Sequence, residues 1–169
     1  MAAQLTHVDP SRPPGFFRRA YSVLGTTRAA RFISRHVFWK LDPILLRLTR
    51  GRVAMPLVIR TAVLETRGAK SGEARRNAII YFHDGDRVTI MASNAGSSNH
   101  PAWYHNVRAH PNVTFGDIPM HAHVVEDEHE RKRLEALGDN VFPAFASYRR
   151  AAAAANRSVP IIALTRSDR

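Results

Sequence analysis

The spacing of apolar residues divides the chain into a helical N-terminal part and a strand-rich remainder. Between residues 16 and 38 apolar side chains recur at intervals of three and four, which predicts one amphipathic helix or two in succession. A short further helix is expected over residues 42–48. From Pro56 onward the sequence changes to short apolar runs separated by turn residues. We therefore expect an N-terminal segment of residues 1–52, followed by a strand-rich part of residues 53–169 that forms the single domain.

Six runs predict strands, and three stretches between them predict helices. The dipeptide Asp84-Gly85 joins two of the runs and predicts a hairpin, because glycine accepts the positive φ of a tight turn. Asp127 followed by Glu130 is a capping pattern that predicts a helix start. The expected strands cover 56–66, 77–83, 87–93, 112–116, 120–125 and 159–165, and the expected helices cover 99–109, 127–137 and 142–155. Since strands and helices do not alternate regularly, we predict an α+β fold, mainly β with helices, built on a closed antiparallel barrel.

Composition limits the classes of protein that the chain can belong to. At 169 residues and 44% hydrophobic content, it is long enough for one domain with a real core. It has no cysteine, which excludes disulfide scaffolds, thiolate zinc sites and iron–sulfur clusters. We expect a cytoplasmic protein, since neither a signal peptide nor an apolar run of roughly 18 residues is evident. His121 and His123 share a strand face without a third ligand at a recognisable spacing, so no metal is expected.

The formal charge of +11 is concentrated at the N-terminus. Residues 1–52 hold ten Lys and Arg against two acids, a net +8, and the remainder carries only +3, so we expect no nucleic-acid partner. Two interpretations of the basic segment at residues 16–50 stay open. It could lie peripherally on an anionic membrane surface, with Trp39 in the interface. It could instead cover the barrel with its apolar face while its arginines remain in solvent.

The stretch from Thr66 to Gly72 carries the strongest chemical signal. It reads TRGAKSG, and Arg75 and Arg76 follow it. Two glycines, a hydroxyl and several cations between two strands suit a loop that wraps an anion with its N–H groups and side chains. An ordinary basic hairpin has the same composition. This stretch alone does not decide between them.

Further motifs along the chain resemble a known family. They are MASNAG from Met91, HPAWYHN from His100 and AHPN from Ala109. Together with TRGAKSGEARR, in this order and at these separations, they resemble the deazaflavin-dependent nitroreductases of the split-barrel flavin-binding superfamily. The resemblance implies a split β-barrel of about six strands that holds an 8-hydroxy-5-deazaflavin, coenzyme F420, with FMN as the second choice.

The resemblance also implies roles for particular residues. Trp103 and Asn106 belong to the helix motif, although a lone tryptophan is also ordinary core. Tyr148 matches a tyrosine that closes over the substrate pocket. The phosphate and acidic tail of the coenzyme would be held by Ala69, Lys70, Ser71, Gly72, Arg75 and Arg76. The ring would lie against Ala78, Ile80, Met91, Ala92, Ser93 and Asn94.

The implied reaction is hydride transfer from reduced F420 to a lipophilic acceptor, which could be a quinone, an enone or a nitroaromatic compound. The protein would position the ring, exclude water and offer a proton, with Tyr148 and Ser93 as the candidate donors. The chain departs from the nitroreductases at three positions, since Phe145 and Ala151 stand where they carry tyrosines and Asn94 where a lysine is common, so the resemblance does not imply nitro-drug reduction.

Two other function classes remain open. Split barrels can also bind a flavin, a deazaflavin or haem without turnover. The basic N-terminus is also compatible with a membrane-associated interaction protein. The sequence is compatible with a monomer and with a homodimer.

Overall fold

The computed structural model describes residues 5–11 and 60–167, which contain six strands and three α-helices. The predicted helices within residues 16–48 lie outside these ranges, as does the start of the first predicted strand. The strands are β1 Thr61–Arg67, β2 Ala74–Asp84, β3 Arg87–Met91, β4 Asn112–Phe115, β5 Ile118–Val124 and β6 Ile161–Arg166. The helices are α1 Ala102–Ala109, α2 Glu128–Val141 and α3 Ala144–Ala154, and a 3-10 helix covers Asn94–Gly96.

The six strands form a closed barrel in the order β1-β2-β3-β6-β5-β4, with antiparallel neighbours. The predicted barrel is therefore confirmed. Closure leaves none of the six described strands with an unpaired edge, and a short pairing of β1 with β4 completes it. Fully buried Leu64, Ile90, Phe115 and Leu164 come from four different strands, so the core lies where these strands meet.

Helix α2 packs on the outside of the β2–β3 hairpin and extends four residues beyond the predicted end. The predicted cap is confirmed, since the Asp127 Oδ1 accepts a hydrogen bond from the Glu130 N–H at 2.7 Å. Gly138, which is unfavourable inside an isolated helix, lies against the barrel wall in the last turns. A Cβ built there would lie 2.7 Å from the Met91 Sδ and 3.4 Å from the Phe82 ring, so any other residue would have to displace the Met91 side chain.

Strand β3 ends two residues before its predicted end, and β2 begins three residues before its predicted start. The chain leaves β3 after Met91 and enters the 3-10 helix, where Asn94 and Ala95 have φ of 47° and 50°. Two successive left-handed residues cannot continue a strand. The extended start of β2 carries Arg75 and Arg76 into the sheet, opposite Thr66 and Glu65 of β1.

Residues 5–11 lie against β2, a contact that the sequence did not predict. The Tyr81 hydroxyl donates to the Thr6 carbonyl at 2.8 Å, and the His83 N–H donates to the Val8 carbonyl at 2.9 Å. The Val8 N–H in turn donates to the His83 Nδ1 at 3.1 Å. Burial lowers the pKa of His83, which keeps this nitrogen available as an acceptor.

Candidate functional site

The basic loop, residues 68–73, is a tight connection between β1 and β2. The Gly68 N–H donates to the Glu73 carbonyl and the Gly72 N–H donates to the Gly68 carbonyl, both at 2.8 Å. Gly72 has φ of 71°, a conformation that favours glycine. Lys70 and Ser71 are exposed, and their N–H groups have no acceptor within the described ranges. The loop therefore presents a cation, a hydroxyl and two N–H donors to solvent.

The side chain of Asn106, in α1, holds this loop by hydrogen bonds. Its Oδ1 accepts from the Ala69 N–H at 2.9 Å, and its Nδ2 donates to the Thr66 Oγ1 at 3.1 Å. Both Asn106 and Thr66 are buried, at 8% and 2% exposure. The amide therefore joins the helix, the end of β1 and the loop. The Ala69 N–H is therefore already paired with a side chain of the protein.

The cations around the loop fall into two groups. Arg75 Nη2 lies 2.6 Å from the Glu73 carboxylate, and Arg76 Nε lies 2.5 Å from the Glu65 carboxylate. Both are surface ion pairs, which exchange readily because solvent screens them. Among residues 5–11 and 60–167, neither Lys70 nor Arg67 has an acidic partner. Lys70 is thus the cation of the predicted site that has no ion pair within the described part of the chain.

One face of β2 leads from the basic loop toward the end of β3. Arg76, Ala78 and Ile80 occupy alternate positions and so share this face. Tyr81 pairs with Ile90, which places Met91 across from Ile80. From Arg76 to Ile80 the strand spans about 13 Å. Ala78 and Ile80 have apolar side chains that are half-buried. The face is therefore apolar between its cationic end and the end of β3.

Residues 92–97, which we call the Ser93 turn, follow β3 at the far end of this face. The backbone passes from right-handed at Ser93 to left-handed at Asn94 and Ala95. Such a change of hand directs successive N–H groups toward one side, a geometry that binds negatively charged atoms. The N–H groups of Ser93, Asn94 and Ala95 have no acceptor in the described part of the chain. Met91 and Ala92 are buried, at 4% and 0% exposure, and Met91 is covered by α2 at Gly138.

Tyr148 lies in α3, which packs directly on the Ser93 turn. A Cβ built on Gly96 would lie 3.0 Å from the Tyr148 carbonyl oxygen and 2.8 Å from the Ala151 Cβ. The absence of a side chain at Gly96 therefore allows the helix backbone to touch the turn. The Tyr148 ring lies edge-on to Phe142, with centroids 6.0 Å apart. The structure thus brings Ser93 and Tyr148, the two predicted proton donors, into one neighbourhood.

Sequence reasoning missed Arg157, which binds the Ser93 turn from inside. Its Nη2 donates to the Ser93 carbonyl and its Nε to the Ser97 carbonyl, both at 2.7 Å. Its Nη1 lies 3.2 Å from the Ala92 carbonyl and 3.4 Å from the His100 Nδ1. Arg157 is only 7% exposed, and burial lowers its pKa. An arginine two residues before a predicted strand was the only signal in the sequence.

Helix α1 joins the two ends of the candidate site. His100 precedes the helix beside Arg157, and Asn106 lies near the other end beside the basic loop. Trp103, between them, is 6% exposed and packs in the hydrophobic core. The structure therefore favours the alternative, in which Trp103 is an ordinary core residue. A wall for the coenzyme is not needed to explain its burial.

Other clusters in the described ranges do not compete with this site. No group of three His, Asp or Glu residues there could hold a metal ion, and His121 instead lies 2.9 Å from the Asn112 side chain. A surface depression at Arg67, His110 and Asn112 adjoins the basic loop. A second depression, near His83 and Arg166, lies elsewhere on the barrel. None of the described helices is long and apolar enough to cross a membrane.

Comparison with known proteins agrees with this geometry. Residues 42–166 match the family described as F420H(2)-dependent quinone reductase. An F420H(2)-dependent quinone reductase of Mycobacterium tuberculosis is 28% identical over 148 residues, which cover 81% of this chain and 97% of that protein.

Two solved structures share the fold. One, an F420-H2 dependent reductase, has 29% identity and a TM-score of 0.53, and the match covers 62% of this chain and 92% of that one. The other, described as a domain-swapped dimer, has 26% identity and a TM-score of 0.56, with 75% and 96% covered. The family match extends over most of the chain, so the predicted family, enzyme class and coenzyme are confirmed. The chain belongs to the F420H(2)-dependent quinone reductase family and is an oxidoreductase that uses coenzyme F420.

Proposed function

We propose that this protein transfers a hydride from reduced F420 to a lipophilic quinone, with the coenzyme lying along the face of β2 between the basic loop and the Ser93 turn. One observation carries the proposal. The cationic loop precedes β2, and a turn whose N–H groups have no acceptor among the described residues follows β3; the face of β2 from Arg76 to Ile80, about 13 Å long, leads from one toward the other. The site matches a ligand that is anionic at one end and flat at the other.

The anionic tail fits the basic loop. Lys70 is exposed and unpaired within the described residues, so it can meet a phosphate without first losing a protein partner. At Arg75 and Arg76 the tail would either displace the paired glutamate or bind to the guanidinium beside it. Charge-assisted hydrogen bonds of this kind contribute about 1.5 to 3 kcal/mol each.

The ring fits the far end of the face. Ala78 and Ile80 offer an apolar surface, and the N–H groups of Ser93, Asn94 and Ala95 can donate to ring carbonyl oxygens. When bound, reduced F420 supplies the hydride. The protein fixes the ring and keeps water away from it, which is how a site of this kind lowers the barrier.

Tyr148 and Ser93 remain the proposed proton donors to the reduced acceptor. Contact between Gly96 and the α3 backbone supports this assignment, because it holds Tyr148 beside the turn that carries Ser93. Tyr148→Phe should lower kcat with little change in F420 affinity, since it removes a hydroxyl and keeps the ring. A Tyr148→Phe enzyme with unchanged kcat would exclude this tyrosine as the donor, and Ser93→Ala then tests the second candidate.

Turnover with reduced F420 and menadione tests the proposed function directly. We expect menadione-dependent oxidation of F420H2, followed by the return of the oxidised deazaflavin absorbance. Lys70→Ala should raise the KM for F420H2, whereas Lys132→Ala, which changes an exposed lysine of α2, should not. Tight F420 binding without any turnover would instead identify a carrier and contradict the proposal.

Two features of the assembly belong to the same proposal. Similarity to a protein described as a domain-swapped dimer supports a homodimer, which light scattering of the purified chain can test.

We also propose that the basic segment, residues 16–50, holds the enzyme peripherally on the inner face of the plasma membrane, where lipophilic quinones dissolve. Co-sedimentation with anionic vesicles tests this, and equal sedimentation of a chain lacking residues 1–40 would contradict it.

A further inference from the structure

Arg157 is a buried cation that contacts no acid among the described residues. We propose that Arg157 is a positioning residue that holds the Ser93 turn in the strained shape that the deazaflavin ring requires. The inference rests on the proposed function, because the turn matters only if the ring binds there. Its basis is the contact pattern of one guanidinium group.

The guanidinium fits the turn as a planar fork. Nε and Nη2 reach the carbonyls of Ser97 and Ser93, which lie on either side of the 3-10 helix, at 2.7 Å each. Nη1 lies 3.2 Å from the Ala92 carbonyl, where β3 ends. Five donors in fixed directions can bind three carbonyls at once, and a lysine ammonium cannot reproduce that geometry.

The surroundings suit a carbonyl-bound cation. Nη1 also lies 3.4 Å from the His100 Nδ1 and 3.4 Å from the Ser158 carbonyl. Burial, and then the charge of Arg157, lower the pKa of His100. A neutral His100 can accept a hydrogen bond at Nδ1, so it joins the carbonyls as a partner for the guanidinium.

The turn needs such a partner because its backbone is strained. Asn94 and Ala95 both carry a Cβ and have φ of 47° and 50°. A residue with a side chain is seldom stable in this region unless its surroundings enforce the conformation. Arg157 binds the carbonyls of Ala92 and Ser93 before these residues and that of Ser97 after them. It thereby fixes the direction of the N–H groups that would face the ring.

The test compares ligands that share the ring but differ in the tail. Fluorescence titration gives the dissociation constants of F420 and of the 8-hydroxy-5-deazaflavin that carries only the ribityl chain. This second ligand, which we call the deazaflavin riboside, lacks the phosphate and the acidic tail. Arg157→Lys should weaken both by the same factor, about ten- to a hundredfold, as lost charge-assisted hydrogen bonds do. The control Arg150→Lys changes an exposed arginine of α3 and should alter neither constant.

Relief of the strain gives a second measurement. Glycine adopts a positive φ without cost, so Ala95→Gly in the Arg157→Lys background should recover a large part of the lost riboside affinity. If Arg157→Lys alone does not fold, this double variant is compared with Ala95→Gly, and similar affinities are expected.

Two results would overturn the inference. One is a folded Arg157→Lys protein with both affinities unchanged, and the other is a double variant that binds the riboside at least tenfold more weakly than Ala95→Gly. Failure of the wild-type protein to bind either ligand would instead refute the proposed function itself.

Discussion

Gly96 offers a sharp test of how the turn and α3 fit together. Gly96 has φ of 76°, and a Cβ there would lie 2.8 Å from the Ala151 Cβ and 3.2 Å from the Tyr148 Cα. Gly96→Ala therefore imposes two separate costs. Placing a residue with a Cβ in the left-handed region costs about 1 to 2 kcal/mol. Overpacking against a helix backbone adds about 1 to 3 kcal/mol, since neither neighbour is the end of a flexible side chain.

Gly85 supplies the matched control. It has φ of 62° in the β2–β3 hairpin, and nothing lies within 4 Å of a Cβ built there. Gly85→Ala should therefore cost only the first amount. Urea unfolding should give a loss of about 1 to 2 kcal/mol for Gly85→Ala and about 2 to 5 kcal/mol for Gly96→Ala.

The same pair of variants reports on function. Displacement of α3 moves Tyr148, so Gly96→Ala should also lower quinone turnover, whereas Gly85→Ala should leave it near the wild-type value. Equal losses of stability in the two variants would refute the reasoning, because they would show that the turn is not packed against α3 in solution.

Three further predictions follow from the contacts around the barrel. Asn106→Leu leaves the Ala69 N–H and the Thr66 hydroxyl without partners, so F420 should bind about 1 to 3 kcal/mol more weakly by fluorescence titration, with the riboside unaffected. Glu65→Gln releases Arg76, and F420 affinity should rise by about two- to fivefold; a decrease would show that the glutamate helps to hold the loop. Hydrogen bonds from Arg133, with those from Arg87, lower the pKa of Asp84 from 3.8 to about 2. The contribution of Asp84 to the free energy of unfolding is therefore present above pH 3.8 and is lost as the pH falls through about 2. Between pH 4 and pH 2 the wild type should therefore lose up to about 2 kcal/mol more stability in urea titrations than Asp84→Asn.

Local patterns were sufficient to predict most of the fold. The apolar runs predicted all six strands, and Asp127 with Glu130 predicted the start of α2. The end of α2 could not be predicted, because glycine disfavours a helix interior and Gly138 therefore suggested that the helix ends before it. In the structure Gly138 stays helical where it packs against Met91, a residue distant in the sequence. Tertiary packing decided that boundary.

The candidate site was predicted less completely, for the same reason. Lys70 and Ser93 could be named from motifs, because each lies in a short recognisable segment. Arg157 could not, since it lies more than 50 residues from the turn that it binds. The pairing of Arg76 with Glu65 depends on strand register, which composition does not reveal.

A titration of wild-type and Lys70→Ala protein with F420, the deazaflavin riboside and FMN tests the central claim most directly. We expect wild-type protein to bind F420 more tightly than either other ligand. Lys70→Ala should reduce F420 affinity by about 1 to 3 kcal/mol and leave riboside affinity unchanged, because only the tail reaches the loop. Tighter binding of FMN than of F420, or equal affinities for F420 and the riboside in the wild type, would contradict the placement of the coenzyme between the basic loop and the Ser93 turn.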